Sequence, residues 1–163
     1  MTSSVPAVEG WLSLEGEPAL LGQKCSRCGT YQFPPTASWC PNPRCGSEEL
    51  ETVALSRNGT VWSYTDAQYQ PPPPYVSPTE PYQPFAIAAV ELAEERLVVL
   101  GQVAAGYGVA DLHVGAPVEL VAEPLDRADG AERAEGADRM VWRWKPTSPP
   151  QSGTKASSSG AVR

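Results

Sequence analysis

The chain has 163 residues, 41% of them hydrophobic, which is room for one compact domain with a small appendage and a genuine core. Its 12 Lys and Arg stand against 19 Asp and Glu, a formal net charge of −7 and the wrong sign for neutralising a nucleic-acid backbone. No stretch approaches the ~20 apolar residues that cross a bilayer, and 14 glycines with 18 prolines point to short strands and turns, not to a helical bundle.

Residues 1–10 show neither a basic nor an apolar leader-like region and read as poorly ordered, so the expected location is the cytoplasm. Residues 11–21 (WLSLEGEPALL) are amphipathic enough for a short N-terminal helix, interrupted by Gly16 and Pro18. Trp11 in this segment is a candidate anchor for a partner protein, since interfaces favour aromatic side chains.

Two cysteine pairs follow, CSRCG and CPNPRCG, placing Cys25, Cys28, Cys40 and Cys45 as Cys-x2-Cys and Cys-x4-Cys. In a reducing compartment such pairs read as metal ligands. Gly29 and Gly46 permit the sharp turns that bring backbone N–H groups toward thiolates. Four thiolates complete a zinc tetrahedron and leave no position for water, so one structural Zn2+ per chain is expected. Rubredoxin-like iron and disulfides are the alternatives for four cysteines; the widened second pair with Pro41 and Pro43 favours zinc. Lys24, Arg27, Arg44 and Arg57 are the positive charges around this ribbon, and they read as solvated surface or as contacts to phosphate or an acidic partner.

Residues 50–55 return as a strand. Segments 59–65 (GTVWSYT), 85–92 (FAIAAVEL), 97–103 (LVVLGQV), 114–123 (VGAPVELVAE) and 140–144 (MVWRW) are then rich in Val, Leu and aromatics and bounded by turn residues or charge. Five such strands, with a connection near 111–114, fit a five-stranded OB barrel. The fold class is therefore mainly β. The expected domains are an N-terminal segment 1–19, a zinc ribbon 20–55, an OB-fold 56–146 and a disordered tail 147–163. Gly101 inside a strand pattern predicts a bulge or tight bend. Trp39, Trp62, Trp142 and Trp144 read as core, the last two on one strand face.

Two connections stand out. Residues 66–84 (DAQYQPPPPYVSPTEPYQP) should be extended and semi-rigid, and long loops of this kind are usually functional. Residues 126–139 (DRADGAERAEGADR) read as a charged, solvated hairpin loop. Catalytic constellations are not evident: His113 is the single histidine and reads as a surface or packing residue, and Asp66 and Glu80 beside the proline loop read as solvated. The chain by itself is expected to be non-catalytic.

In this order, CSRCG, CPNPRCG, GTVWSYT, PYQPFAIAAVEL, VGAPVELVAE and a final aromatic strand ending at Pro146, the chain resembles the zinc-ribbon/OB-fold proteins known as domain of unknown function 35. The resemblance spans residues 11–146. It departs from the family in the Cys-x4-Cys knuckle, where Cys-x2-Cys is common, and in the charged segment 126–139. It implies an accessory subunit docked on a thiolase-fold enzyme in a two-plus-two heterotetramer, the partner supplying catalysis on acyl-CoA thioesters. Some such partners are sterol-carrier-type thiolases that cleave steroid side-chain thioesters by retro-aldol chemistry; thiolysis and condensation are the alternatives. Pro81, Tyr82, Pro84 and Phe85 are the loop residues expected to face the partner or its substrate channel. A single-stranded nucleic-acid-binding OB protein and a rubredoxin-like electron carrier are the readings from other classes; the first has the aromatics but not the basic groove.

Overall fold

Val61, Val90 and Val99 lie opposite one another across three antiparallel strands and are all buried, the inward half of a period-2 alternation that sets up the barrel. The computed structural model describes residues 3–75, 77–125 and 137–147. The barrel strands are β6 (Asn58–Asp66), β7 (Ala86–Leu92), β8 (Val98–Val103), β9 (Pro117–Pro124) and β10 (Ala137–Pro146). β6, β7 and β8 form an antiparallel meander. β10 then joins β8 in parallel at Arg143–Gln102 and Trp144–Val103 and runs antiparallel to β9, and β9 closes on β6. The result is the expected five-stranded closed barrel. A single 3-10 turn, Val109–Asp111, lies between β8 and β9.

The core is Val61, Ala88, Val90, Leu92, Val118, Leu120 and Trp144, joined by Leu12, Leu20 and Leu55 from the ribbon side. Burying each of Leu20, Leu92 and Leu120 contributes about 1.5–3 kcal/mol. Gly101 is fully in register with Ala88, so no bulge lies there. The glycine serves close approach instead, making room for two indoles. The register shift occurs between Val61 and Ser63, where Trp62 is the extra residue. Alternation from buried Val61 already turns Trp62 outward, 61% exposed, and Trp39 on the ribbon is 64% exposed. Neither is core, whereas Trp144 is fully buried and Trp142 half-buried.

The ribbon is built from β2 (Leu12–Ser13), β3 (Ala19–Cys25), β4 (Tyr31–Gln32) and β5 (Leu50–Ala54), with β3 central. The short helix expected at residues 11–21 is a hairpin: Leu12 pairs with Leu20 and Ser13 with Ala19. Gly16 turns the chain at φ +70°, a conformation no helix interior accepts, and Pro18 has no N–H to give a helix. The segment expected to be poorly ordered supplies β1 (Ser3–Pro6), which pairs in parallel with Ala137–Met140 at the open edge of β10. Of the expected charged loop, residues 137–139 belong to β10, and 126–136, like 148–163 of the tail expected at 147–163, lie outside the described residues; Thr147 itself donates to Pro117 O at 3.1 Å. No helix among the described residues is long and apolar enough to cross a membrane.

Ribbon and barrel meet through specific contacts. Arg57 donates from Nε to the Pro18 carbonyl at 2.9 Å and from its terminal nitrogens to Leu120 O at 3.5 Å and Glu17 at 2.7 Å. Trp11 packs edge-on to Phe33, and both lie against Trp142, with centroids 5.6–6.4 Å apart.

Candidate functional site

β3 carries Cys25 outward from the junction with the barrel, and β5 returns from beyond Cys45, so both cysteine loops sit at the far end of the ribbon. Gly29 (φ +74°) closes the first turn, donating to Cys25 O at 2.8 Å. Gly46 (φ +58°) closes the second, with Asn42 O accepting from Cys45 and Gly46 at 2.9 and 3.3 Å. The four sulfurs all lie within 4.8 Å of one another, with Cys28–Cys40 at 3.5 Å and Cys25–Cys45 at 3.8 Å. A zinc tetrahedron with Zn–S bonds of about 2.3 Å has edges near 3.8 Å, so the thiols fit the ion with little adjustment.

Backbone N–H groups complete the cage. Those of Thr30, Asn42 and Ser47, each two residues beyond a cysteine, face the thiols of Cys28, Cys40 and Cys45. The Thr30 hydroxyl, 3.1 Å from Cys28 Sγ, together with the Thr30 N–H, pulls that thiol down to about 6. Burial pushes Cys40 up to about 12. At Cys45 the Ser47 N–H lowers the pKa, but burial and neighbouring thiols outweigh it and leave the thiol raised. With Cys28 lowered and Cys40 and Cys45 raised, a dication beside them is what would favour their thiolate forms together. Thr30 and Asn42 were not singled out from sequence; a hydroxyl or amide just inside a cysteine loop is the signal that would have found them.

The proline loop has its own small core. It turns back at Pro72–Tyr75, where Tyr75 N donates to Pro72 O at 3.3 Å, so it is folded where an extended segment was expected. Tyr75 then stacks on Phe85 at 5.8 Å, and Tyr82 packs edge-on against both at 6.3 and 6.5 Å. The Tyr82 hydroxyl donates to Ala67 O at 2.6 Å, clasping the two ends of the loop. Burial, with the nearby Asp66 carboxylate, raises the Tyr82 phenol above its ordinary value. Pro81 and Pro84 are exposed, Tyr82 and Phe85 half-buried. Trp11 sits with Phe33 and Trp142 at the ribbon–barrel seam, away from this loop's cluster. His113 is exposed.

Comparisons with known proteins agree with this layout. A family model described as the ChsH2 rubredoxin-like zinc ribbon domain matches residues 14–51, and one described as the ChsH2 C-terminal OB-fold domain matches residues 52–123. With four cysteines gathered in that ribbon, the chain fits one structural zinc. A DUF35 domain-containing scaffold protein of Methanocaldococcus jannaschii is 32% identical over 85% of this chain and 89% of its own length. A "Probable enoyl-CoA hydratase alpha subunit" of Thermomonospora curvata is 32% identical over 68% of this chain, which spans only 31% of that relative. The benzoylsuccinyl-CoA thiolase subunit BbsA of Geobacter metallireducens is 37% identical over 51% of this chain and 49% of its own. Among solved structures, an Ltp2-ChsH2(DUF35) aldolase chain superposes with a TM-score of 0.56 at 27% identity, covering 78% of this chain and 84% of that one.

Proposed function

This chain belongs to the ChsH2-type zinc-ribbon/OB-fold family, domain of unknown function 35, and on that premise we propose that it is a non-catalytic accessory subunit of a thiolase-fold enzyme acting on acyl-CoA thioesters. The observation that carries the reading is the near full-length match to a scaffold protein of this family. The geometry supports it: four thiolates saturate the metal, leaving no coordination position for substrate. The ion therefore rigidifies, and the partner supplies the reacting groups.

The finer reading is a retro-aldolase of steroid side-chain degradation, assembled two-plus-two in the cytoplasm. The likeness to an aldolase chain favours carbon–carbon cleavage, and the sequence resemblance supplies the steroid class. The kinship with a thiolase subunit favours thiolysis or condensation as the second reading. Exposed Pro81 and Pro84, with the open edges of Trp11, Tyr82 and Phe85, are the proposed contacts to the partner or its channel. A loop that holds its own shape loses little entropy on docking.

Co-purification of the tagged chain from its native host, with mass spectrometry and elemental analysis, tests the proposal. One zinc per chain together with a thiolase-fold enzyme, whose acyl-CoA activity falls when the chain is omitted, is the expected result. Zinc without such an enzyme, or a partner equally active alone, would overturn it.

A further inference from the structure

The outward face of β6–β8 is unlike a sheet surface that simply meets water. Its side chains fall in cross-strand rows: Thr60–Glu91–Val98, then Trp62 and Ser63 beside Ala89 and Leu100, then Thr65–Ile87–Gln102. Trp62 is 61%, Leu100 65% and Val98 45% exposed, whereas Ala89 between them is 8% exposed, overhung by its larger neighbours. Solvent-facing sheet positions ordinarily alternate to polar residues, and a contiguous apolar patch on a soluble domain marks an interaction surface.

In OB barrels the face of the second and third strands, flanked by the loop after the first, is the usual ligand surface. Here those strands are β7 and β8, and the flanking loop is the clasped proline loop between β6 and β7. Nucleic-acid binders line this face with cations as well as aromatics. No Lys or Arg occurs in β6, β7 or β8, and the one acid on the face, Glu91, is paired with Arg96 at 2.8 Å. A face that combines an exposed indole and aliphatic side chains with depleted charge has the character of a protein-interface core.

We infer that the Trp62–Ala89–Leu100 face, continuous with the proline loop, is the principal docking surface for the thiolase-fold partner, seating an uncharged, apolar patch of that enzyme. The inference rests on the proposed function and deepens it by naming the surface. The bulge widens this face: with two residues opposite Ala89, Ser63 lies exposed beside Trp62.

The test uses the full chain and the thiolase-fold enzyme identified by co-purification. Trp62→Ser and Leu100→Arg are titrated against that enzyme, with zinc content and melting curve as folding controls; Val98→Lys serves if either fails to fold. Each substitution is expected to weaken binding about tenfold or more, and the pair more than about a hundredfold, with zinc unchanged. Wild-type affinity in a correctly folded double variant would overturn the inference while leaving the accessory role standing. So would a homodimer abolished by the same substitutions, or Trp62-dependent binding to single-stranded oligonucleotide or anionic vesicles. Failure of the wild-type chain to bind any thiolase-fold enzyme would remove the accessory role itself, and this surface assignment with it.

Discussion

Gly101 lies directly against Trp144: a Cβ added to the glycine would stand 2.8 Å from the indole Nε1 of Trp144 and 2.9 Å from that of Trp142. Trp144 is fully buried and cannot retreat, while Trp142 is half-buried and can yield. Gly101→Ala is therefore expected to destabilise the barrel by about 1–3 kcal/mol, the usual cost of overpacking, and Gly101→Val by more. Denaturant melts of the two variants measure this; an unchanged midpoint in both would show that the indoles are free to move.

The same pair shows where the sequence was legible and where it was not. Strand alternation foretold that Trp142 and Trp144 share a face, and the glycine in β8 signalled something unusual, but only the packed partner shows it to be a close contact and not a bulge. The four cysteines were readable because metal chemistry fixes residue type and spacing together. Trp62 reads as core by its residue type, although alternation from buried Val61 places it on the outer face. Leu12 and Leu20 suit a helical face and a hairpin pair equally well; Gly16 and Pro18 are the turn signal that decides between them. β1 is short and owes its order to the edge of β10, a distant partner that no local pattern announces.

Arg57 ties the ribbon to the barrel, accepted by carbonyls on both sides at Pro18 and Leu120 and ion-paired to Glu17. Its side chain is 30% exposed, so the hydrogen bonds outweigh the screened ion pair. Arg57→Ala should cost about 1–3 kcal/mol, whereas Glu17→Gln should be nearly neutral. Thermal melts separate the two; equal losses would put the weight on the ion pair.

Tyr82 gives a signature at alkaline pH. Its phenol is raised in the folded chain by burial and by Asp66, so folding favours the protonated form. Below the ordinary tyrosine value both folded and unfolded chains are protonated, and the clasp contributes in full. As pH rises from about 10 through the higher folded value, the unfolded chain ionises first and stability declines. Tyr82→Phe should remove this late-titrating phenol from an absorbance titration and loosen the loop by loss of the bond to Ala67 O. Faster proteolysis within residues 67–84 in the variant is the accompanying expectation; a titration curve identical to wild type would refute the assignment.

Removing the metal should separate the two halves of the molecule. Structural zinc in small cysteine sites contributes about 10–16 kcal/mol of apparent binding energy, and here it joins loops that otherwise share few contacts beyond β3, β4 and β5. The ribbon is thus expected to unfold on chelation, while the barrel keeps its own core of Val90, Val118, Leu120 and Trp144. Acid should act in the same direction, because all four thiols must be deprotonated to hold the ion and protons compete as pH falls. Cys40→Ser, which loses a buried ligand, should lower zinc occupancy well below one per chain without abolishing the barrel's melting transition. Elemental analysis and amide exchange read the two parts independently. Loss of protection throughout β6–β10 on chelation would mean that the ribbon and barrel fold as one unit through Trp11, Phe33 and Trp142, not as a metal-dependent ribbon on a self-sufficient barrel.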